Sequence, residues 1–163
     1  MLGCSKLSHL LMILVRSCKN AIQGYRETER RQWSPANEVV IQRVKEIAFP
    51  ESEPLPHTHV LDLAPGGHIK PHVDAVRFCG PVIAGLCLMS TAVMRLQHCS
   101  MEHLAVDALL QRRALYIMSG AARYQLTHAV LGGEGSVWRG GRVARGRRLA
   151  LICRSKPSHP PGS

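Results

Sequence analysis

From residue 57 onward the chain runs as short apolar stretches broken by turn residues, a spacing that suits strands rather than helices. Residues 57–63, 69–74, 82–89, 93–98, 104–110, 114–118, 123–130 and 147–154 read as about eight strands, parted by Pro65-Gly66-Gly67, Gly80-Pro81, Ser119-Gly120 and Gly132-Gly133. Strands of this number and length suit a mainly-β fold, a double-stranded β-helix or jelly roll. The pattern upstream is different. Residues 21–31 can be helical, and Ser34 with Pro35 supplies the cap and first turn of a second helix through Val39, Val40, Ile41, Val44 and Ile47. These N-terminal helices are expected to pack on one sheet. Residues 50–56, with three prolines and two glutamates, read as a linker. The expected organisation is an N-terminal segment at 1–20, a helical extension and linker at 21–56, the jelly-roll core at 57–154 and a tail at 155–163. The proline-rich stretch 157–163 is expected to be disordered.

A chain of 163 residues is ordinarily one domain with one core. Hydrophobic content of 45% excludes wholesale disorder, and an aromatic share of 4% argues against a surface built to stack bases. The net charge of +10, concentrated after His128 in Arg139, Arg142, Arg145, Arg147 and Arg148, suits an acidic partner such as nucleic acid or anionic lipid, and equally a solvated loop. The six cysteines form no C-x-x-C pair, which argues against a zinc ribbon or a disulfide framework and implies a reducing compartment. The first 26 residues carry four basic and no acidic side chains around the apolar run 10–15, too short to span a bilayer. That composition matches a mitochondrial transit peptide, with a secretory signal or a packing helix as alternatives. No transmembrane segment is expected, and oligomeric state is left open.

Two constellations carry chemistry. In an extended segment His72 and Asp74 leave one face about 6–7 Å apart, so both can reach one ion, and His128 downstream offers a third ligand. Two histidines and a carboxylate on one side of an ion leave positions open, the geometry of non-haem Fe(II) oxygenases. With nine histidines in the chain, the competing reading is a strand-end histidine beside a turn aspartate. The second constellation is the stretch 148–154, apolar on both faces between Arg148 and Arg154. The two arginines, six residues apart, share a face, and buried guanidinium groups call for a carboxylate partner such as a small dicarboxylic acid. Alternatively they mark the solvated ends of the strand.

Several stretches resemble the AlkB-like Fe(II)/2-oxoglutarate dioxygenases: Gly24-Tyr25-Arg26-Glu27-Thr28-Glu29, Arg31-Gln32-Trp33-Ser34, His59-Val60-Leu61-Asp62-Leu63, Ile69-Lys70-Pro71-His72-Val73-Asp74, Ala122-Arg123-Tyr124 and Arg145-Gly146-Arg147-Arg148. The resemblance implies Fe(II) held by His72, Asp74 and His128. It implies 2-oxoglutarate held by Tyr116, Arg148 and Arg154, with dioxygen as second co-substrate. It also implies a mitochondrial matrix protein hydroxylase linked to fatty-acid metabolism and alkylation-induced programmed necrosis. RNA demethylation of mitochondrial transcripts is the alternative, as is a catalytically impaired jelly-roll interaction protein. Three departures stand out. The first twenty residues do not match the family, Gln111-Arg112-Arg113 replaces a proline-glycine turn before Tyr116, and Ala150 and Ile152 stand where nucleic-acid-repairing members carry asparagine and threonine. The turn is therefore expected to be less ordered, and the co-substrate pocket less polar.

Overall fold

The structure, a computed structural model, describes residues 21–157. In chain order its elements are β1 (Ile22–Arg30), α1 (Pro35–Ala48), β2 (Thr58–His72), β3 (Ile83–Met89), β4 (Ala92–His98), β5 (Ala105–Leu110) and β6 (Leu115–Met118). They continue with α2 (Gly120–Tyr124), β7 (Leu126–Val130), β8 (Val137–Trp138), β9 (Gly141–Arg142) and β10 (Arg148–Arg154). The strands follow the path β5-β4-β7-β2-β10-β3-β6, with β1 added on β2, and every pairing is antiparallel. The long strand β2 absorbs the two runs expected at 57–63 and 69–74. Its first half pairs with β10 and its end, through Ile69 and His72, with β7. Because β2 belongs to both halves, the sheet curls into a nearly closed barrel, the jelly roll expected from the strand pattern.

β10 shows how the pattern builds the interior. Leu151 and Cys153 point outward against Ile41, Val44, Ala48 and Phe49, while Ile152 packs inward with Cys87, Met94 and Leu110. The strand is buried on both sides because α1 covers its outer face, which is why it reads as a continuous apolar run. Each buried aliphatic side chain contributes roughly 1.5–3 kcal/mol. α1 begins as expected, with Ser34 as cap and Pro35 in the first turn. Its buried stripe is Ile41, Val44 and Ala48, however, and Val39, Val40 and Ile47 are exposed.

Residues 22–30 form a strand instead of the expected helix, so one N-terminal helix rather than two packs on the sheet. The reason is tertiary. Backbone pairing along β2 from Ile22↔Ile69 to Arg30↔Thr58 outweighs a weak helical propensity, and Gly24 at φ +62° sits at the bulge between Gln23 and Tyr25. The stretch 50–56 is tied down by a bridge from Pro54 to Ser155 and by Leu55 N–H donating to the Arg154 carbonyl. Ser155 itself is fully buried and bonds Val82, so the ordered chain runs past the expected start of the tail, while 158–163 and the expected leader at 1–20 lie outside the described residues.

Three further differences follow from local hydrogen bonding. Residues 123 and 124, expected to open the strand at 123–130, instead close the short helix α2. The turn at Gln111–Arg113 is ordered: Ala114 N–H donates to Gln111 O, and Arg113 N–H and Cys87 N–H bond across to Cys87 O and Ala114 O. That turn holds Arg113 at φ +69°, which costs a non-glycine residue about 1–2 kcal/mol. Finally, the cationic stretch folds into the β8–β9 hairpin, and much of its charge is engaged. Arg147 makes a two-point bond to Asp62, Arg145 donates to the carbonyls of Leu131 and Gly67, and Arg148 is buried.

Candidate metal and co-substrate site

The jelly-roll register brings His72 and His128 together. They are direct partners across the β2–β7 pair, with ring centroids 4.2 Å apart. Asp74 lies two residues beyond His72, just past the strand end, and swings its carboxylate between the rings. Asp74 Oδ1 stands 3.3 Å from His72 Nε2 and 3.8 Å from His128 Nε2. The three donor atoms all lie within 4.8 Å of one another, the one such metal-competent group among the described residues.

Electrostatics bear on which species these atoms are. The Nδ1–H of His72 donates to the Lys70 carbonyl at 2.9 Å, which leaves Nε2 with its lone pair facing the carboxylate. Two lone-pair atoms at 3.3 Å repel unless a proton or a cation lies between them. Burial opposes a proton on His72, but the Asp74 and Lys70 bonds outweigh it, and the His72 pKa rises above its ordinary value. Burial also works against the Asp74 anion, yet His72, Arg154 and His128 together hold its carboxyl well below the usual carboxylate range. Burial and the neighbouring His72 push His128 down to about 4, so it presents a free lone pair at neutral pH. An ionised carboxylate and two imidazole nitrogens converging on one point form a donor set that fits a divalent transition metal.

The same cavity is lined by Tyr116, Arg148 and Arg154. Arg148 and Arg154 face inward from opposite ends of β10, as their spacing predicts. Arg154 Nε donates to Asp74 Oδ2 at 2.8 Å, and its Nη1 meets His59 Nδ1 at 3.2 Å. Burial works against the Arg154 cation, but Asp74 raises its pKa. Arg148 differs. It is 1% exposed, one Nη bonds Cys87 Sγ at 3.3 Å, its Nε has no partner, and no carboxylate pairs with it among the described residues. A buried guanidinium left unpaired in a cavity fits a carboxylate ligand. Tyr116 lies flat across Gly85, its strand partner, where an added Cβ would fall 2.1 Å from the ring. Burial pushes its phenol up to about 12, so it stays a donor. Ile22, Leu61, Ile69, Met94 and Ile152 make most of the remaining wall apolar, with His59 beside them; of the two residues noted in the sequence, Ile152 lines the cavity.

All six residues singled out in the sequence thus meet in one cavity. Sequence reasoning gave no role to Gly85, to His59, or to Arg123, whose side chain is 2% exposed. His59 and Arg123 stood inside stretches already noted for their resemblance, but no spacing signalled what they touch.

The fold is shared with solved structures. It is similar to that of OsALKBH1 (TM-score 0.59, 16% identity, 83% of this chain and 79% of that one). It is also similar to a Pseudomonas putida prolyl-4-hydroxylase (TM-score 0.57, 16% identity, 83% and 72%). At that identity the likeness is one of fold. No family model matches the chain. Sequence comparison is more specific. The chain is 50% identical over 138 residues to the mouse mitochondrial alpha-ketoglutarate-dependent dioxygenase alkB homolog 7, and 48% identical over 138 residues to its bovine counterpart. Each match covers 84% of this chain and 62% of the relative, so the chain spans a little under two thirds of those proteins. Over the region it shares with them, the chain is similar to these alkB homolog 7 proteins.

Proposed function

We propose that this chain is an Fe(II)/2-oxoglutarate-dependent dioxygenase. The observation that carries the reading is the pairing, in one cavity, of the His72–Asp74–His128 donor set with the unpaired buried cation of Arg148. His72, Asp74 and His128 would hold the iron, and Tyr116, Arg148 and Arg154 the keto acid. Bound together with dioxygen, that pair supplies oxidation of a C–H bond coupled to decarboxylation of 2-oxoglutarate to succinate.

The residues divide the remaining work. Lys70 O fixes the His72 tautomer, and Arg154 takes Asp74 Oδ2, leaving Oδ1 for the ion. Arg148 and the Tyr116 hydroxyl supply fixed donors for the distal carboxylate, a two-point match that a planar guanidinium favours. The apolar wall keeps the cavity dry, which strengthens each of these contacts.

The substrate we favour is a protein side chain. Flipping and stacking a nucleobase calls for free aromatic faces near the site. Among the described residues upstream of the core, Phe49 is buried, Trp33 packs on the α1 cluster, and Tyr25 packs beside Leu61 and Leu63. The mitochondrial relatives support a mitochondrial location, and we place the chain in the matrix, in fatty-acid metabolism and alkylation-induced necrosis. Succinate release above the substrate-free background, measured on matrix-protein peptides and on methylated RNA, tests the choice. Stimulation by peptides is expected. Stimulation by RNA alone would overturn the protein-hydroxylase reading in favour of RNA demethylation.

A further inference from the structure

We propose that Arg123 is a positioning residue of the metal centre, a guanidinium clamp that fixes the Asp74 segment against the His128 segment. The inference rests on the metal-site reading given above.

Asp74 is not held by a strand, because β2 ends at His72. The chain from Asp74 to Gly80 is a loop, so although Arg154 orients the Asp74 carboxylate, something else must fix the backbone that carries it to within the roughly 0.5 Å that a functional geometry needs. Arg123 reaches into that loop from α2. Its Nη1 donates to the Asp74 carbonyl at 2.8 Å, its Nε to the Gly80 carbonyl at 3.0 Å, and its Nη2 to the Cys79 carbonyl at 3.1 Å, with Cys79 Sγ at 3.4 Å. The guanidinium therefore spans the loop, gripping the residue that carries the ligand and the two residues where the loop ends. α2 in turn runs within two residues into β7, which carries His128. One side chain thus cross-links the two chain segments that supply the second and third ligands.

The chemistry of the contact favours this role over plain packing. Arg123 is 2% exposed and makes no carboxylate pair among the described residues. A buried cation satisfied by three carbonyls, the Cys79 sulfur and the Tyr124 ring, with no anion, is a costly way to fill space, where an apolar side chain would serve. What the planar fork adds is a fixed geometry between three carbonyls, which a lysine ammonium cannot reproduce. The other backbone anchors of the loop, Gly80 N–H to Ser155 O and the Cys79 N–H turn to Ala75 O, hold its far end, so that Arg154 holds the Asp74 carboxylate while Arg123 holds the Asp74 backbone.

The test is a Co(II) titration of the full chain, followed by calorimetry and by the visible d–d bands that report coordination geometry. Wild type, His72→Ala, Arg123→Lys and Arg123→Met are compared, with the thermal midpoint of each measured in chelator. Arg123→Lys and Arg123→Met are expected to bind about 10- to 100-fold more weakly, the usual effect of removing an outer partner of a ligand, with altered bands at temperatures where both are folded. A merely structural residue would lower the chelated midpoint and leave affinity and bands as in wild type, which would overturn the proposal. Failure of both variants to fold would also overturn it, assigning Arg123 to the core. Absence of Co(II) binding in wild type would instead refute the metal centre itself, and this inference with it.

Discussion

Replacing Arg148 with methionine should stabilise the ligand-free protein while destroying its hold on 2-oxoglutarate. The guanidinium is 1% exposed, has one sulfur contact at 3.3 Å and an Nε without a partner, and no carboxylate among the described residues neutralises it. Methionine keeps most of the length and can follow the same path past Cys87 and Tyr116 without burying a charge. Exchanging buried charge for apolar volume yields on the order of 1–4 kcal/mol in comparable settings. For a chain of this size each kcal/mol moves the thermal midpoint by about 2–4 °C. The variant should therefore melt at least about 2 °C above wild type without ligand. Saturating 2-oxoglutarate with Mn(II), at about 100 times its dissociation constant, should raise the wild type by about 2.7 kcal/mol, or roughly 5–10 °C, and leave the variant unmoved beyond the metal-only shift. The assay is a melt in four conditions: apo, metal, 2-oxoglutarate, and both. A variant several degrees less stable than wild type when ligand-free, or one that keeps the 2-oxoglutarate shift, would refute the idea that Arg148 is an unpaired cation awaiting a carboxylate.

Gly85→Ala should displace the Tyr116 ring, which an added Cβ would meet at 2.1 Å, and weaken 2-oxoglutarate binding severalfold without weakening metal binding; equal co-substrate affinity would show that the ring is not part of the pocket. Metal affinity should climb with pH, because the bound ion displaces a proton from His72, whose pKa is raised, while His128, at about 4, is already neutral. Below the His72 pKa the gain should be about tenfold per pH unit, flattening above it, and a profile flat from pH 5 to 8 would contradict the assignment. The sign reverses for the apo protein. The raised folded-state pKa of His72 gives stability that is full below the ordinary value of 6.5 and lost as pH rises through the folded value, whereas His128, lowered to about 4, acts in the opposite sense, so the readout is the difference in chelated midpoint between wild type and His72→Ala, which should be larger at pH 6 than at pH 8.

How much of this was legible in the chain depends on how local each signal was. His72 and Asp74 announced themselves by a two-residue spacing, and Arg148 and Arg154 by bracketing an apolar strand. Those patterns are set by strand geometry and survive folding. His128 could be named as a downstream candidate and was supported by the resemblance, but its pairing with His72 has no local signal, because it depends on the β2–β7 register across more than fifty residues. The strand at 22–30 was missed because its order comes from β2 rather than from its own pattern, which buries only every third or fourth residue partly. Arg123 was missed for a similar reason. A lone arginine between Ala122 and Tyr124 carries no periodicity, and its value lies in three carbonyls contributed by a loop more than forty residues away. The tail was placed too early because Ser155 looks like any polar residue after a strand, whereas its hydroxyl and backbone close the sheet onto Val82.

The most direct test of the central claim is an anaerobic absorption titration of the full chain with Fe(II) and 2-oxoglutarate, alongside His72→Ala. A saturable visible charge-transfer band of an iron-bound keto acid is expected in wild type and should be absent in the variant. A folded wild type that gives no band, or a His72→Ala protein that gives the same one, would contradict the assignment of this cavity as a dioxygenase site.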